Sequence, residues 1–354
     1  MKQITDLKEK AEQGDPTAQY KLGFAYAHGH GVPYNLKQAA HWNRKAAEQG
    51  HPEAQYTLAL DYAYGVLEDE TQAAHWYRKA AEQGHPKAQY TLALNYALGW
   101  GVQQDQEKAV HWFRKAAEQG HPQAQNSLGV AYRDGRGVPK NQERAFHWLR
   151  KAAKQGDPRA QYNLGAVYAE GEGVKKDLKR AVRWIRKAAK QGDPDAQINL
   201  GYAYAKGEGV QQDFKQAAHW IRKAAEQGQP QAQYELGHIY GDGDLVPEDH
   251  DQAAHWWQKA AEQGHPDAQY NLGIAYQLGL GVPENDEQAA HWFRKAAERG
   301  GARAQYELGH AYAKGIGVEE DHEQAIHWWK KAAEQGDPWV ESEAAQLIKS
   351  QKIT

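Results

Sequence analysis

Eight histidines each stand directly before a tryptophan: His41, His75, His111, His147, His219, His255, His291 and His327. Imidazoles in a regular series raise the question of a metal site. Their spacing argues against one. Equivalent positions of successive copies lie 36 residues apart, or 34 in one case, and equivalent helices pack about 10 Å from each other. Zinc requires its nitrogens within about 2.0–2.1 Å, so one ion cannot bridge equivalent positions. Arg183 replaces histidine in the remaining copy, which points to a solvent-facing site. The pairs His250/His255 and His322/His327 are five apart, off a shared helical face, and no H-E-x-x-H occurs. The glycine loop G-x-G-V is followed by neither a strand nor G-K-S/T, so it reads as a helix-ending turn rather than a phosphate cradle. There is no S-x-x-K, no G-x-S-x-G and no cysteine, and no sequence signal pairs two carboxylates in a cleft. No catalytic residue, metal site or cofactor is expected.

What must be positioned is therefore a surface. Gly14, Gly50, Gly84, Gly120, Gly156, Gly192, Gly228, Gly264, Gly300 and Gly336 each close a near-copy of one phrase. A period of 20–50 residues indicates a repeat array, and it overrides any division of the 354 residues into separate globular domains. About nine copies occupy residues 14–335; residues 1–13 and 336–354 are expected to be end caps. No apolar run approaches the ~18 residues of a membrane span. The start, MKQITDLKEKAEQG, has no hydrophobic signal segment, so secretion is not indicated and a cytoplasmic monomer is the expectation.

Each copy reads as two helices. In the first, Asp15-Pro16 opens helix A, since Asp caps and proline suits the first helical position. Ala18, Leu22 and Tyr26 recur at i, i+4, i+8. Gly23 allows close approach of a neighbouring helix, and Gly29 ends the segment. Asn35, and Asp or Asn at every equivalent position, begins helix B; six of nine copies add Gln three residues later, approximating a capping box. Helix B is expected to bury Ala39, Trp42 and Ala46 before Gly50. A Trp stands at the Trp42 position in every copy, which reads as interlocking core. Asn43 is apolar in all later copies, consistent with a terminal unit that has less to pack against.

These residues resemble the Sel-like repeat family, relatives of the tetratricopeptide repeats, through A-x-x-L-G-x-x-Y-x-x-G-x-G-V followed by A-x-x-W-x-x-K-A-A. The resemblance implies an all-α, right-handed α/α superhelical solenoid of about nine 36-residue hairpins. It further implies helix A on the concave face, helix B on the convex face, and a scaffold that binds proteins. The second copy departs from the pattern: Tyr64-Gly65-Val66-Leu67 lacks the second glycine and is two residues short.

Positions that differ between copies carry no stacking duty. On helix A these include the positions of Tyr20, Phe24 and His28. Repeats 2 and 3 place Tyr56, Leu60, Tyr64, Tyr90, Leu94, Leu98 and Trp100 there or beside them; repeat 4 offers Arg133, and repeat 8 Tyr270, Ile274 and Leu278. Clustered apolar and aromatic side chains on a solvent-facing surface mark an interaction site. A partner peptide or protein is expected in this groove.

Charge suggests an alternative. Net charge is −3, yet Arg133–Lys190 holds sixteen Lys/Arg against six Asp/Glu. Its densest part is Lys175, Lys176, Lys179, Arg180, Arg183, Arg186 and Lys187, expected on the convex side. Such a patch suits an acidic protein or phosphate backbone. No interleaving of aromatic and basic residues supports specific nucleic-acid recognition.

Overall fold

The computed structural model describes residues 2–65, 68–243, 246–335, 342, 344–347 and 349. Among the described residues there is no strand. Among the same residues the helix Lys2–Glu12 precedes nine hairpins, beginning with Pro16–His28 and Leu36–Glu48. The chain divides into two compact units, Met1–Trp184 and Ile185–Thr354, with the division inside the helix Leu178–Lys190.

Local signals explain the hairpin. The Asp15 carboxylate accepts the Ala18 N–H at 2.8 Å, and Gly29 closes helix A at φ 69°, a conformation that a side chain would resist. Asn35 Oδ1 accepts the Gln38 N–H, and the equivalent Asp or Asn caps every later helix B. The reciprocal half of the capping box is replaced. Each cap residue's own N–H is already committed, donating to the carbonyl of the helix A tyrosine, as in Asn35 to Tyr26 at 2.9 Å and Asp105 to Tyr96 at 2.8 Å. This bond ties the two helices of each hairpin together.

Within Met1–Trp184, the leucines Leu22, Leu58, Leu92, Leu128 and Leu164 are buried among alanines of the packed helices. Burying each such side chain contributes about 1.5–3 kcal/mol. The glycine of Leu-Gly admits the residue after the repeated tryptophan. A Cβ on Gly129 would stand 2.7 Å from Leu149 Cγ. That next residue, rather than the tryptophan, is the deepest part of helix B. Tyr77 and Leu149 are fully buried while Trp76 and Trp148 are half-buried. Trp42, Trp76, Trp112 and Trp148 lie at the rim, each with a lysine three residues on above its ring, Lys151 over Trp148 at 4.8 Å. Trp220, Trp256, Trp292 and Trp328 of the second unit are buried, as the sequence leads one to expect. Asn43 also corrects the expectation placed on it. It is 5% exposed, as enclosed as its apolar counterparts, so its polarity does not follow from lack of cover.

Two hydrogen-bonded devices join successive hairpins. Gln55, Gln89 and Gln125 are buried; each donates to a carbonyl closing the preceding helix B, such as Ala47 at 3.1 Å, and accepts from a glutamine ending its own helix B, such as Gln83 at 2.7 Å. Arg78 donates to the Tyr96 hydroxyl at 2.8 Å, and Arg114 to Tyr132 at 3.2 Å. The second glycine of G-x-G-V is a docking point as well as a turn: a Cβ on Gly101 or Gly137 would collide with the carbonyl of Glu70 or Gln106, which opens the preceding helix B.

The unit Ile185–Thr354 repeats these devices, with Gln197, Gln233, Gln269 and Gln305 in the buried glutamine positions. Its repeat 7 reads Gly243-Asp244-Leu245-Val246 and, like repeat 2, lacks the second glycine. The helix B starts that this glycine would cover, Leu36 and Phe214, are both exposed. The expected C-terminal cap, 336–354, lies mostly outside the described residues. Within it, Ala344 and Leu347 pack on Ala325, Trp329 and Ala332.

Candidate interaction surface

The stacking of hairpins leaves a recurring pocket on the helix A side. Its wall comes from the end of one helix A, the start of the following helix B and the next repeat's helix A. Between repeats 2 and 3 it measures about 200 Å³ and is lined by Ala63, Tyr64, Glu70, Ala73, Tyr77, Thr91, Leu94, Asn95 and Trp100. Between repeats 3 and 4 the same positions give about 220 Å³ lined by Gln106, Phe113, Asn126, Ser127, Val130 and Arg136, among others. Both are mainly apolar; the first carries the aromatic Tyr64 and Trp100, whereas the second carries Asn126, Ser127 and Arg136 beside Val110, Phe113 and Val130.

In the unit Ile185–Thr354 the equivalent pocket lies between repeats 8 and 9, at about 380 Å³. Phe293 takes the place of Tyr77, Glu307, Lys314 and Asp286 supply charge, and His310 adds a further polar side chain. Burial holds the Glu307 carboxyl above the usual carboxylate range.

The eleven groove residues expected from sequence fall into two groups. Tyr64, Leu98, Trp100 and Leu278 are exposed, at 78%, 52%, 48% and 60%. Tyr56, Leu60, Tyr90, Leu94, Arg133, Tyr270 and Ile274 are half-buried. For the tyrosines the reason is inter-repeat packing. Tyr56 stacks on His85 at 4.8 Å and touches Tyr77 at 5.8 Å; Tyr90 stacks on His121, and Tyr270 meets Phe293. Burial raises the hydroxyl pKa of all three. Arg133 is held by Asp134 at 2.9 Å. Leu60, Leu94 and Ile274 pack against the buried core with part of their surface free.

Sequence reasoning missed Tyr77, which is 1% exposed and lines the aromatic pocket. Its hydroxyl has no hydrogen-bond partner among the described residues. A signal was present: of the nine residues that follow the repeated tryptophan, Tyr77 alone carries a hydroxyl. Burial raises its pKa far above the ordinary tyrosine value, with Tyr56 and Tyr64 adding to the effect, so the group remains a neutral phenol.

The histidines have structural positions. Those before tryptophan are exposed and pack edge-on to it, as His147 does on Trp148 at 5.2 Å. A second set caps helix A: Nδ1 of His51, His85, His121 and His265 accepts an N–H three residues on, as Asp15 does elsewhere. Burial pushes His85, His121 and His265 below the ordinary value, which preserves the unprotonated acceptor. Among the described residues no group of three or more metal-ligating side chains comes together.

Of the basic residues, Lys175, Lys176, Lys179 and Arg183 are exposed. Arg180 bridges Asp177 at 3.2 Å. In the second unit, Lys187 is exposed and Arg186 donates to the Tyr204 hydroxyl at 3.1 Å. Arg180 and Arg186 are thus engaged within the fold. Among the described residues no helix is long and apolar enough to cross a membrane.

Hairpins joined by repeated glutamine and arginine bridges define an all-helical, tetratricopeptide-like α/α solenoid. The chain belongs to the Sel1 repeat family: the Sel1 repeat model matches nine times, at 16–51, 52–85, 86–121, 122–157, 158–193, 194–229, 230–265, 266–301 and 302–337. It is similar to a solved Sel1 repeat protein from Oxalobacter formigenes, at 34% identity over 98% of this chain and 91% of that one, with a TM-score of 0.65. It is also similar to c5321, described as a protective antigen of uropathogenic Escherichia coli strains with an SLR fold. There the identity is 35% over 98% of this chain and 90% of the other, with a TM-score of 0.59. No curated protein sequence matches. Sel1 repeat proteins are generally protein–protein interaction scaffolds.

Proposed function

We propose that this chain is a non-catalytic scaffold that binds a protein or peptide partner on the helix A side of repeats 2 and 3. The observation that carries the reading is the exposure of Tyr64, Leu98 and Trp100 around one aromatic pocket. Large apolar groups left in water beside a cavity suit a partner that covers them, and aromatic anchors dominate interface energy. Leu94 packs on the core and is better left intact in a test of this surface.

The test is affinity purification with wild-type protein and two double variants, followed by affinity measurement with the purified partner. Leu98→Asp with Trp100→Ser changes only exposed side chains, and should weaken binding at least about thirtyfold, a loss of about 2 kcal/mol, while helical content is unchanged. Lys179→Glu with Arg183→Glu should leave affinity nearly unaltered and shift only the salt-dependent association rate. If the basic pair abolishes binding and the apolar pair does not, the partner is recognised by charge and the proposal fails.

A further inference from the structure

We infer that helix B of repeat 4 carries a receptor for a phosphorylated side chain of a protein partner, with the Arg150 guanidinium as its forked donor. The site lies on the other helix of the hairpin from the surface proposed above, and the two readings are independent.

Arg150 differs from its counterparts. Arg44, Arg78, Arg114, Arg186, Arg222 and Arg294 hold the same position in their repeats, and each donates to the hydroxyl of the tyrosine 18 residues on. Arg150 does not donate to Tyr168, and among the described residues it has no hydrogen bond or ion pair. Its guanidinium lies instead over the Phe146 ring, 6.0 Å from the centroid, and Phe146 meets Tyr168 edge-on at 5.7 Å. The six tied arginines each follow Ala or Val by four residues, whereas Phe146 is the only aromatic residue at that position. The phenyl ring thus holds the guanidinium away from the tyrosine and leaves its donors free. A planar guanidinium presents five N–H groups in a fork that matches an oxyanion.

The surroundings are cationic. Phe146, His147, Arg150, Lys151 and Lys154 line a cavity of about 200 Å³, and among the described residues no carboxylate lines it. Residues three or four apart share a helical face, so these side chains form one stretch of surface. Arg150, Lys151 and Lys154 are all exposed. Lys154 reverses the sign of its position, which is Glu in seven of the nine copies, as at Glu118. Like charges four residues apart, as Arg150 and Lys154 are, repel each other, and a bound anion relieves that repulsion.

Charge also selects the ligand. A phosphomonoester carries about −1.5 to −2 charges at pH 7 and three acceptor oxygens, which suits three cations around one cavity. A carboxylate brings a single charge, and nucleic acid is held by many singly charged phosphates along a track.

The probe is acetyl-Gly-phosphoserine-Gly-amide, titrated into the full chain at fixed ionic strength, with the aspartate tripeptide as the singly charged control. The backbone amides of Arg150, Lys151 and Lys154 are followed by NMR. We expect the phosphopeptide to bind at least about tenfold tighter than the control, the ratio one further charge-assisted hydrogen bond provides. Three substitutions use residues that other copies carry at the same positions (Gln258, Glu118 and Val110), so the fold is retained. Arg150→Gln and Lys154→Glu should each weaken the phosphopeptide about tenfold. Phe146→Val leaves every charge in place, yet should weaken it about threefold or more by returning Arg150 to Tyr168. No shift at about 10 mM phosphopeptide, well above a millimolar Kd, would overturn the inference. So would equal affinity for the aspartate peptide, or an affinity unchanged by Arg150→Gln, Lys154→Glu or Phe146→Val. Oligothymidylate that displaces the phosphopeptide at equal phosphate concentration would assign the cavity to nucleic acid and overturn it as well.

Discussion

The pocket between repeats 2 and 3 and the pocket between repeats 8 and 9 are built at equivalent positions of the same motif, one in each compact unit. Their chemistry is nonetheless opposed. The first has Ala63, Leu94 and Trp100 where the second has Gln277, His310 and Ile316, and Thr91 where the second has Glu307. At the base, Tyr77 faces Ala59 and Phe293 faces Gly273. The difference teaches that stacking residues fix the existence of a pocket in this motif, while the remaining positions of helix A choose what it can hold. Positions free of stacking duty are where one repeat acquires a specificity another lacks.

The largest effect should come from the shared base. Tyr77→Ala and Phe293→Ala each remove a buried aromatic and should cost about 3–5 kcal/mol. Because contacts are between neighbouring repeats, hydrogen exchange should accelerate mainly in repeats 1–3 for the former and 7–9 for the latter. Uniform acceleration along the chain would break the picture of locally built pockets.

A smaller effect separates the units at their glutamine bridges. In repeat 8 the bridging glutamine is replaced by Arg299, and the Gln269 side-chain oxygen has no partner among the described residues. Arg299→Gln should restore the donor and stabilise by about 0.5–1.5 kcal/mol, the net worth of one hydrogen bond. The converse change, Gln119→Arg, should remove the donor to Gln89 and destabilise by a similar amount. Both are read from denaturation midpoints. Equal midpoints for all three proteins would show the bridges to be ornamental.

The smallest effect is a pH dependence confined to the charged pocket. Glu307 has a raised pKa in the folded protein, through burial. Its contribution to stability is therefore fully present below the unfolded carboxyl value of 4.5 and is lost as pH rises through the folded value. Glu307→Gln should stabilise the protein at pH 7 and make little difference at pH 4. The pocket between repeats 2 and 3 holds Thr91 at this position, and Thr91→Gln should show no such pH dependence. A benefit of Glu307→Gln that is constant across pH would assign the effect to packing instead.

Much of the scaffold was legible because its rules are local. The caps at Asp15 and Asn35, the left-handed glycine at Gly29 and the apolar periodicity of helix A depend on residues within a few positions of one another. The parts that misled were those decided by a neighbouring hairpin. Gln55 reads as a surface residue until the carbonyl of Ala47 and the amide of Gln83 are found beside it. Trp148 reads as the core because it is large and present in every copy, yet Leu149 is the residue that meets Gly129. Tyr56 and Tyr90 read as groove surface, and one face of each ring is taken by a histidine of the next repeat.

The sequence by itself determined the number of repeats, the helical hairpin, the caps and the second-repeat irregularity, since periodicity and capping are properties of short segments. Only the tertiary structure decided which of the repeated residues are buried, where inter-repeat pockets open, and that the Tyr77 hydroxyl has no hydrogen-bond partner among the described residues. Those facts depend on distances between residues of different hairpins or of different helices, such as Tyr77 and Leu94 or Gln55 and Gln83. Such distances are set by how one hairpin packs on the next, and that packing is a property of no single repeat.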